Sequence, residues 1–160
     1  MHKVFLSIGG NLGDRQANLA TAIKEIGGKV GLVTAHSSIY ETKAWGVEDQ
    51  PDFLNQVLLV ETDLSPIAIL DTVLNIELAM GRIRERKWYT RLIDIDILFY
   101  DQQIINTERL IIPHPFIAKR NFVLAPLTEI APDFIHPVLN KSIAGLYKDS
   151  PDSLDVWAID

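Results

Sequence analysis

The chain contains no cysteine, which excludes disulfide bonds, thiolate metal ligands and a cysteine nucleophile. It also lacks a long hydrophobic run: no apolar stretch approaches the roughly 18 residues of a transmembrane helix, and the first residues lead straight into strand-like sequence. Positive charge is scarce, with 15 Lys and Arg against 21 Asp and Glu and a formal net charge of −6. That balance argues against a nucleic acid or an anionic membrane as partner. We therefore expect a soluble, cytoplasmic protein.

The chain has 160 residues, of which 48% are hydrophobic and 22% are charged. This is enough for one domain with a sizeable core, and too little for two. No internal repeat, low-complexity segment or linker divides the sequence. We therefore expect a single domain over residues 1–160.

Hydrophobic periodicity and turn residues predict the order of the secondary structure. The predicted elements are a strand at 4–8, a helix at 15–26 stopped by Gly27-Gly28, strands at 29–42 and 53–61, a helix from Pro66 to about Gly81, a strand at 91–100, a hairpin over 104–112, and helices at 118–127 and 142–147. The order β-α-β-β-α-β with helical crossovers is that of the ferredoxin-like unit. We expect an α+β fold with a mostly antiparallel sheet, extended by the C-terminal hairpin and helices.

The stretch Arg91–Tyr100 is a strand-like run that carries two carboxylates, Asp94 and Asp96. Side chains alternate along a strand, so both aspartates and Leu98 should share one face, with the isoleucines and Phe99 on the other. Adjacent like charges cost stability, and Mg²⁺ is a hard cation that one or two carboxylates hold together with substrate phosphates. For an Asp-x-Asp pair alone, a solvated acidic face remains the alternative.

A basic loop leads directly into this strand. Residues 82–91 hold five of the 15 Lys and Arg residues, namely Arg82, Arg84, Arg86, Lys87 and Arg91. Arginine grips phosphate through two hydrogen bonds, and Trp88 could cover a flat ring. A solubilising loop is the alternative, but metal-type carboxylates beside cations are what phosphoryl transfer requires. A second basic group follows the strand: Arg109, His114, Lys119 and Arg120.

Aromatic and amide side chains predict a slot for a flat heterocycle. Phe53 and Asn55 share one face of a strand, and Asn55 can both donate and accept hydrogen bonds. Trp45 and Phe122 could complete the slot, although each aromatic alone is more typical of a core. Glu77 is either a boundary residue or a pocket carboxylate. Gly-Gly-Asn-Leu-Gly at 9–13 matches no nucleotide fingerprint and favours a tight turn.

Taken in order, these motifs resemble the 6-hydroxymethyl-7,8-dihydropterin pyrophosphokinase family of folate biosynthesis. The resemblance covers residues 4–140 and rests on FLSIGGNLGD (5–14), SIYET (38–42), DQPDFLN (49–55), GR (81–82), RLIDIDIL (91–98), PHP (113–115) and RNFVLAPL (120–127). The chain has Tyr89-Thr90 where the family usually has Gly-Pro, Gly10 where serine is common, and Phe53 where tyrosine is frequent.

The resemblance implies transfer of a pyrophosphoryl group from ATP to the pterin hydroxymethyl group, with release of AMP and with two Mg²⁺ ions. It implies that Asp94 and Asp96 bind the metal, that Asp96 accepts the hydroxyl proton, and that the loops at 43–51 and 82–91 close as lids. The expected catalytic residues are Arg82, Arg91, Asp94 and Asp96; the expected ATP contacts are Glu77, Arg84, Trp88, Arg109, His114 and Arg120; and the expected pterin contacts are Thr42, Trp45, Phe53, Asn55 and Phe122.

We expect the two small-molecule substrates to be the partners, and the protein to be a monomer. Two alternatives are another Mg²⁺-dependent phosphoryl or nucleotidyl transferase on the same fold, and a non-catalytic nucleotide-binding module.

Overall fold

The computed structural model describes residues 1–43, 51–81 and 92–159. The strands are β1 His2–Gly10, β2 Leu32–His36, β3 Ile39–Thr42, β4 Phe53–Thr62, β5 Asp94–Tyr100, β6 Ile105–Asn106, β7 Ile111–Ile112 and β8 Val156–Ile159. The helices are α1 Arg15–Lys29, α2 Pro66–Ala79, α3 Asn121–Ile130 and α4 Ile143–Lys148, and a 3₁₀ turn at Ile117–Lys119 precedes α3.

The described residues form one six-stranded sheet in the order β5-β1-β4-β3-β8, with β2 also paired to β4. Every pairing in it is antiparallel, and β6 and β7 form the predicted hairpin. The predicted ferredoxin-like α+β class is confirmed, with α1 and α2 as its two crossovers. Among the described helices, none is both long enough and apolar enough to cross a membrane.

Both crossover helices begin where the sequence predicts. The Asp14 side chain accepts a hydrogen bond from the Ala17 amide, and Ser65 caps α2 ahead of Pro66. The predicted end of α1 at Gly27-Gly28 is wrong, since the helix continues to Lys29. Each glycine costs about 1 kcal/mol of helix propensity, but the helix continues because Ile26 and Val30 on either side are both buried.

The single strand predicted over 29–42 is two strands, β2 and β3, separated at Ser37-Ser38. At this break the Ser37 hydroxyl replaces a backbone carbonyl as acceptor and takes a hydrogen bond of 3.0 Å from the Val57 amide. The Ser37 amide donates to the Val57 carbonyl at 2.9 Å. The side chain thus satisfies a backbone donor of β4 that a continuous strand would have satisfied. Both pieces remain on the same edge of β4.

The sheet is packed on both faces. One core lies against α1 and α2, and the other lies against α3 and α4. The register of β1 against β5 shifts between Phe5 and Leu6, opposite Phe99 and Ile97 respectively, which leaves Leu98 as an extra residue. The prediction that Phe99 lies on the face opposite the aspartates is therefore wrong: Leu98 and Phe99 both pack in the α3–α4 core.

The C-terminal part departs from the sequence prediction at two points. The helix expected from residue 118 begins at Asn121 after the 3₁₀ turn. The strand β8, which the sequence did not predict, pairs with β3 at the sheet edge. This pairing places Asp152 and Leu154, which precede β8, near Thr42, Phe53 and Asp94 at the ends of β3, β4 and β5.

Candidate active site

A cavity of about 520 Å³ opens on the α3 side of the sheet. Seven residues expected from the sequence line it together: Thr42, Phe53, Asn55, Asp94, Asp96, Arg120 and Phe122. The other described lining residues are Ser7, Gly9, Lys43, Lys119, Asp152 and Leu154. A space of this size suits a small-molecule ligand, with a few polar groups among apolar ones.

The two carboxylates lie at the start of β5, where Asp94 is opposite Gly9 and Asp96 is opposite Ser7 in β1. Asp94 is half-buried and Asp96 is exposed. No group of three or more potential metal ligands occurs among the residues that the structure describes. Two carboxylates that line one cavity suit a hard cation whose remaining ligands are water and phosphate, rather than a closed all-protein site.

Glu77 supports this strand from the other face of the sheet. Its side chain is 4% exposed, and it accepts a hydrogen bond of 2.7 Å from the Ile95 amide, between the two aspartates. β5 is the outer strand of the described sheet. The Glu77 carboxylate therefore provides the Ile95 amide with the acceptor that a neighbouring strand would provide inside the sheet. The structure does not place Glu77 among the described lining residues.

Asn55 lies over Gly9 across the β1–β4 pair. A Cβ atom at Gly9 would come within 2.4 Å of Asn55 Oδ1 and 2.9 Å of the Leu54 carbonyl oxygen, so the glycine makes room for the amide. Asn55 is 6% exposed, and its Nδ2 has no hydrogen-bond partner within the described part of the chain. A buried donor without a partner is costly unless a ligand satisfies it.

The aromatic side of the cavity contains Phe53 from β4 and Phe122 from α3. The Arg120 guanidinium carbon lies 4.7 Å from the Phe116 ring centroid and 5.6 Å from that of Phe122. Contacts of a cation with two ring faces hold the guanidinium in place while its fork remains able to bind an anion. Thr42 is paired with Phe53 between β3 and β4, and it donates a hydrogen bond of 3.3 Å to the Asp155 carbonyl.

A backbone hydrogen bond to β5 holds His114 near Asp96 and Arg120. Its amide donates to the Leu98 carbonyl at 3.0 Å, and its Nδ1 accepts from the Phe116 amide at 3.2 Å. Burial lowers the pKa of His114, Asp96 acts in the opposite direction, and Arg120 lowers the pKa further. A neutral ring with Nδ1 as acceptor carries its proton on Nε2 and can donate from there.

Arg109 lies away from the cavity. It lies in the turn between β6 and β7, and its Nη2 contacts Asp71 Oδ1 of α2 at 2.5 Å in an exposed ion pair. The structure therefore does not bring it together with Arg120, the expected ATP contact that lines the cavity among the described residues. The remaining expected site residues, Trp45, Arg82, Arg84, Trp88 and Arg91, lie outside the described residues.

Four lining side chains were not assigned to the site from the sequence: Ser7, Lys43, Asp152 and Leu154. Ser7 could have been found from the pairing of β1 with β5, because it lies opposite Asp96. Lys119 belongs to the second basic group, but no ligand was assigned to it. The sequence around Asp152 and Leu154 carries no motif, and only the pairing of β8 with β3 brings it to the cavity.

Comparison with known proteins identifies the family of this chain. The sequence model of 7,8-dihydro-6-hydroxymethylpterin-pyrophosphokinase matches residues 5–132. The chain is 45% identical over 136 residues to the 2-amino-4-hydroxy-6-hydroxymethyldihydropteridine pyrophosphokinase of Methylorubrum extorquens, covering 84% of this chain and 86% of that protein. It is 42% identical over 143 residues to the protein of the same name from Aquifex aeolicus, covering 89% of each.

A solved structure shares the fold. The HPPK-DHPS triple mutant of Plasmodium falciparum superposes with a TM-score of 0.75 at 20% identity, over 92% of this chain and 43% of that longer one. This likeness concerns the fold alone, whereas the family is shown by the match over residues 5–132 and by the identities above 40%. The chain therefore belongs to the 7,8-dihydro-6-hydroxymethylpterin-pyrophosphokinase family.

Proposed function

We propose that this protein transfers the terminal pyrophosphoryl group of ATP to the hydroxymethyl group of 6-hydroxymethyl-7,8-dihydropterin, releasing AMP, as a step of folate biosynthesis. The observation that carries the proposal is the single cavity in which an aromatic and amide wall faces a pair of carboxylates, in a member of this family. One wall suits a flat heterocycle, and the other suits a phosphate chain with its metal.

The reaction joins the hydroxymethyl oxygen to the β-phosphorus of ATP. The bond between that phosphorus and the oxygen leading to the α-phosphorus breaks, AMP leaves with that oxygen, and the hydroxyl loses its proton. Little covalent work falls to the protein, so positioning and charge stabilisation provide the catalysis. The Asp96 carboxylate is exposed to the cavity, and we assign it as the acceptor of the hydroxyl proton.

The pterin is held by the aromatic and amide wall. Phe53 and Phe122 present ring faces to either side of the heterocycle. The free Nδ2 of Asn55 donates to a ring acceptor, and its Oδ1 accepts from a ring donor. Because Asn55 is buried against Gly9, the amide is fixed before the ligand arrives, which reduces the entropy lost on binding.

The phosphate chain is held by carboxylate-bound metal and by cations. Asp94 and Asp96 would hold Mg²⁺, two ions in this proposal, and the metal would offset the negative charge of the phosphates. Arg120 and Lys119 line the same cavity, and the neutral His114 can donate from Nε2. We propose that these residues hold the nucleotide, and that Arg82 and Arg91 stabilise the phosphate being transferred.

We further propose that the enzyme acts as a monomer in the cytoplasm. The absence of cysteine is compatible with a reducing and with an oxidising compartment, and therefore does not identify the location. The proposed cytoplasmic location rests on the soluble substrates of the family. Light scattering coupled to gel filtration should give a mass near 18.0 kDa.

Product analysis tests the reaction directly. Purified protein should release AMP from ATP when Mg²⁺ and 6-hydroxymethyl-7,8-dihydropterin are present, and release of ADP would instead identify a different phosphoryl transferase. Asp94→Asn and Asp96→Asn keep the side-chain size and remove the charge, and each should lower kcat by about 10³ or more. Asp133→Asn, at an exposed position outside the cavity, is the matched control and should retain wild-type kcat.

The pterin wall is tested by Asn55→Ala. Loss of the amide should weaken pterin binding about tenfold or more, because a buried polar contact is lost. Binding of a non-hydrolysable ATP analogue should change less than about twofold. Isothermal titration with each ligand measures both affinities, and equal weakening of the two would contradict the proposed wall.

A further inference from the structure

The last part of the chain forms one wall of the cavity. Residues 150–159, here named the C-terminal strap, run past the start of α3 to β8, which pairs with β3 at the sheet edge. Asp152 and Leu154 of the strap line the cavity. The family's sequence model matches residues 5–132, so the strap lies beyond the residues that this model matches.

α3 lacks a cap from its own first residues. Its N-cap residue is Arg120, and no side chain of the helix start makes a capping hydrogen bond among the described residues. Arginine offers donors and no acceptor, so it cannot satisfy the amides that begin a helix. In α1 and α2, by contrast, Asp14 and Ser65 occupy this position and cap in the ordinary way.

Asp152 supplies the missing acceptor from 31 residues away. Its Oδ2 accepts a hydrogen bond of 2.8 Å from the Asn121 amide, and its backbone carbonyl accepts one of 3.2 Å from Asn121 Nδ2. Its other carboxylate oxygen accepts from the Leu154 amide at 3.0 Å. A carboxylate at this end also complements the positive end of the helix dipole.

The external cap leaves the N-cap position free for a cation. Arg120 can extend over the Phe116 and Phe122 rings and reach the cavity, because its side chain is not needed to begin the helix. The residues on either side of Asn121 are thus one proposed nucleotide contact, Arg120, and one proposed pterin contact, Phe122. A shift of the Asn121 amide would move both.

We propose that Asp152 is a positioning residue of this enzyme: by capping α3 at Asn121 it holds Arg120 and Phe122 in the orientations that bind the two substrates. This inference rests on the proposed function. It gives the C-terminal strap a part in catalysis through α3, separate from any direct contact with a substrate.

A double-mutant cycle tests the inference. Asp152→Ala should weaken binding of a non-hydrolysable ATP analogue with Mg²⁺ about fivefold, in the range expected for a lost helix cap. The same change in an Arg120→Ala background should have less than about twofold effect, because Asp152 acts through Arg120. Asp152→Asn, which keeps one acceptor oxygen, should bind between wild type and Asp152→Ala.

Asp149→Ala is the matched control. Asp149 is exposed, lies three positions earlier and makes a loose 3.7 Å ion pair with Lys141, so analogue binding should match wild type. Isothermal titration gives the affinities, and thermal unfolding confirms that each variant is folded. Equal weakening by Asp152→Ala in both backgrounds would show general destabilisation and overturn the inference, as would wild-type binding in Asp152→Ala.

The readout separates this inference from the proposed function. Analogue binding requires no turnover, so the coupling between Asp152 and Arg120 is measured whatever product the wild-type protein releases. Release of ADP in place of AMP would refute the proposed reaction and leave the coupling standing. Release of AMP by the wild type together with no coupling would refute the role of Asp152 alone.

Discussion

Replacing Gly9 by alanine should disturb the pterin wall and the fold together. The added Cβ would lie 2.4 Å from Asn55 Oδ1 and 2.9 Å from the Leu54 carbonyl oxygen, and real Cβ contacts are not this short. Neither neighbour can retreat cheaply, since Asn55 is 6% exposed and the carbonyl belongs to the paired strand β4. The substitution must therefore displace the amide, the strand, or both.

The expected cost is that of overpacking a core, about 1–3 kcal/mol. For a domain of this size each kcal/mol lowers Tm by roughly 2–4 °C, which gives a fall of about 2–12 °C. Displacement of Asn55 should weaken pterin binding about tenfold, the equivalent of one well-formed hydrogen bond. ATP-analogue binding should weaken less than pterin binding, because the atoms nearest to the added Cβ belong to Leu54 and Asn55, whereas Asp94 lies opposite Gly9 on the neighbouring strand.

Calorimetry for Tm and isothermal titration for each ligand are the assays. Gly28→Ala is the matched control, because no described heavy atom lies within 4 Å of a Cβ at that helical position. Alanine there should stabilise the protein by about 0.5–1 kcal/mol. If Gly9→Ala kept the wild-type Tm and pterin affinity, the close approach of Gly9 to Asn55 would not be what shapes the wall.

Three further outcomes are expected. Glu77→Ala leaves the Ile95 amide without its acceptor and should cost about 1–3 kcal/mol in urea unfolding, whereas Glu77→Gln should lose much less. Arg109→Ala should leave the KM for ATP within about twofold of wild type in steady-state assays, because the Arg109 guanidinium pairs with the exposed Asp71. A larger change in KM would show that Arg109 contacts the nucleotide. Burial lowers the pKa of His136 below its ordinary 6.5, so the unfolded state binds more protons below that pH, and stability, full above about pH 6.5, should fall on acidification. In His136→Asn the plot of Tm against pH should be flatter, and an equal slope would contradict this assignment.

The sequence predicted the framework because local signals agreed with the fold. Ser65-Pro66 and Asp14 mark helix starts by chemistry that operates within four residues. The alternation of Asp94 and Asp96 needs only the period of a strand, and both line the cavity as expected. Phe53 and Asn55 follow from the same period on β4.

The misplaced features depend on pairing and packing in the folded chain, which local patterns do not show. The register shift beside Leu98 arises from pairing with β1, and no local pattern announces it. α1 continues past Gly27 because the buried Val30 outweighs the weak propensity of glycine. The sequence left two interpretations of Glu77 open, a boundary residue or a pocket carboxylate. The Ile95 amide, which donates to Glu77, lies 18 positions further along the chain, so no local pattern shows this contact.

The spread of the cavity along the chain has a consequence for synthesis. Its described walls begin at Ser7 and end at Leu154, so a ribosome must have synthesised residue 154 before the substrates meet all of these walls. A nascent chain that has reached α3 already holds the carboxylates, the aromatic rings and the arginine, yet that helix has no acceptor for its first amide until Asp152 emerges. Activity should therefore appear only after residue 154 has left the ribosome.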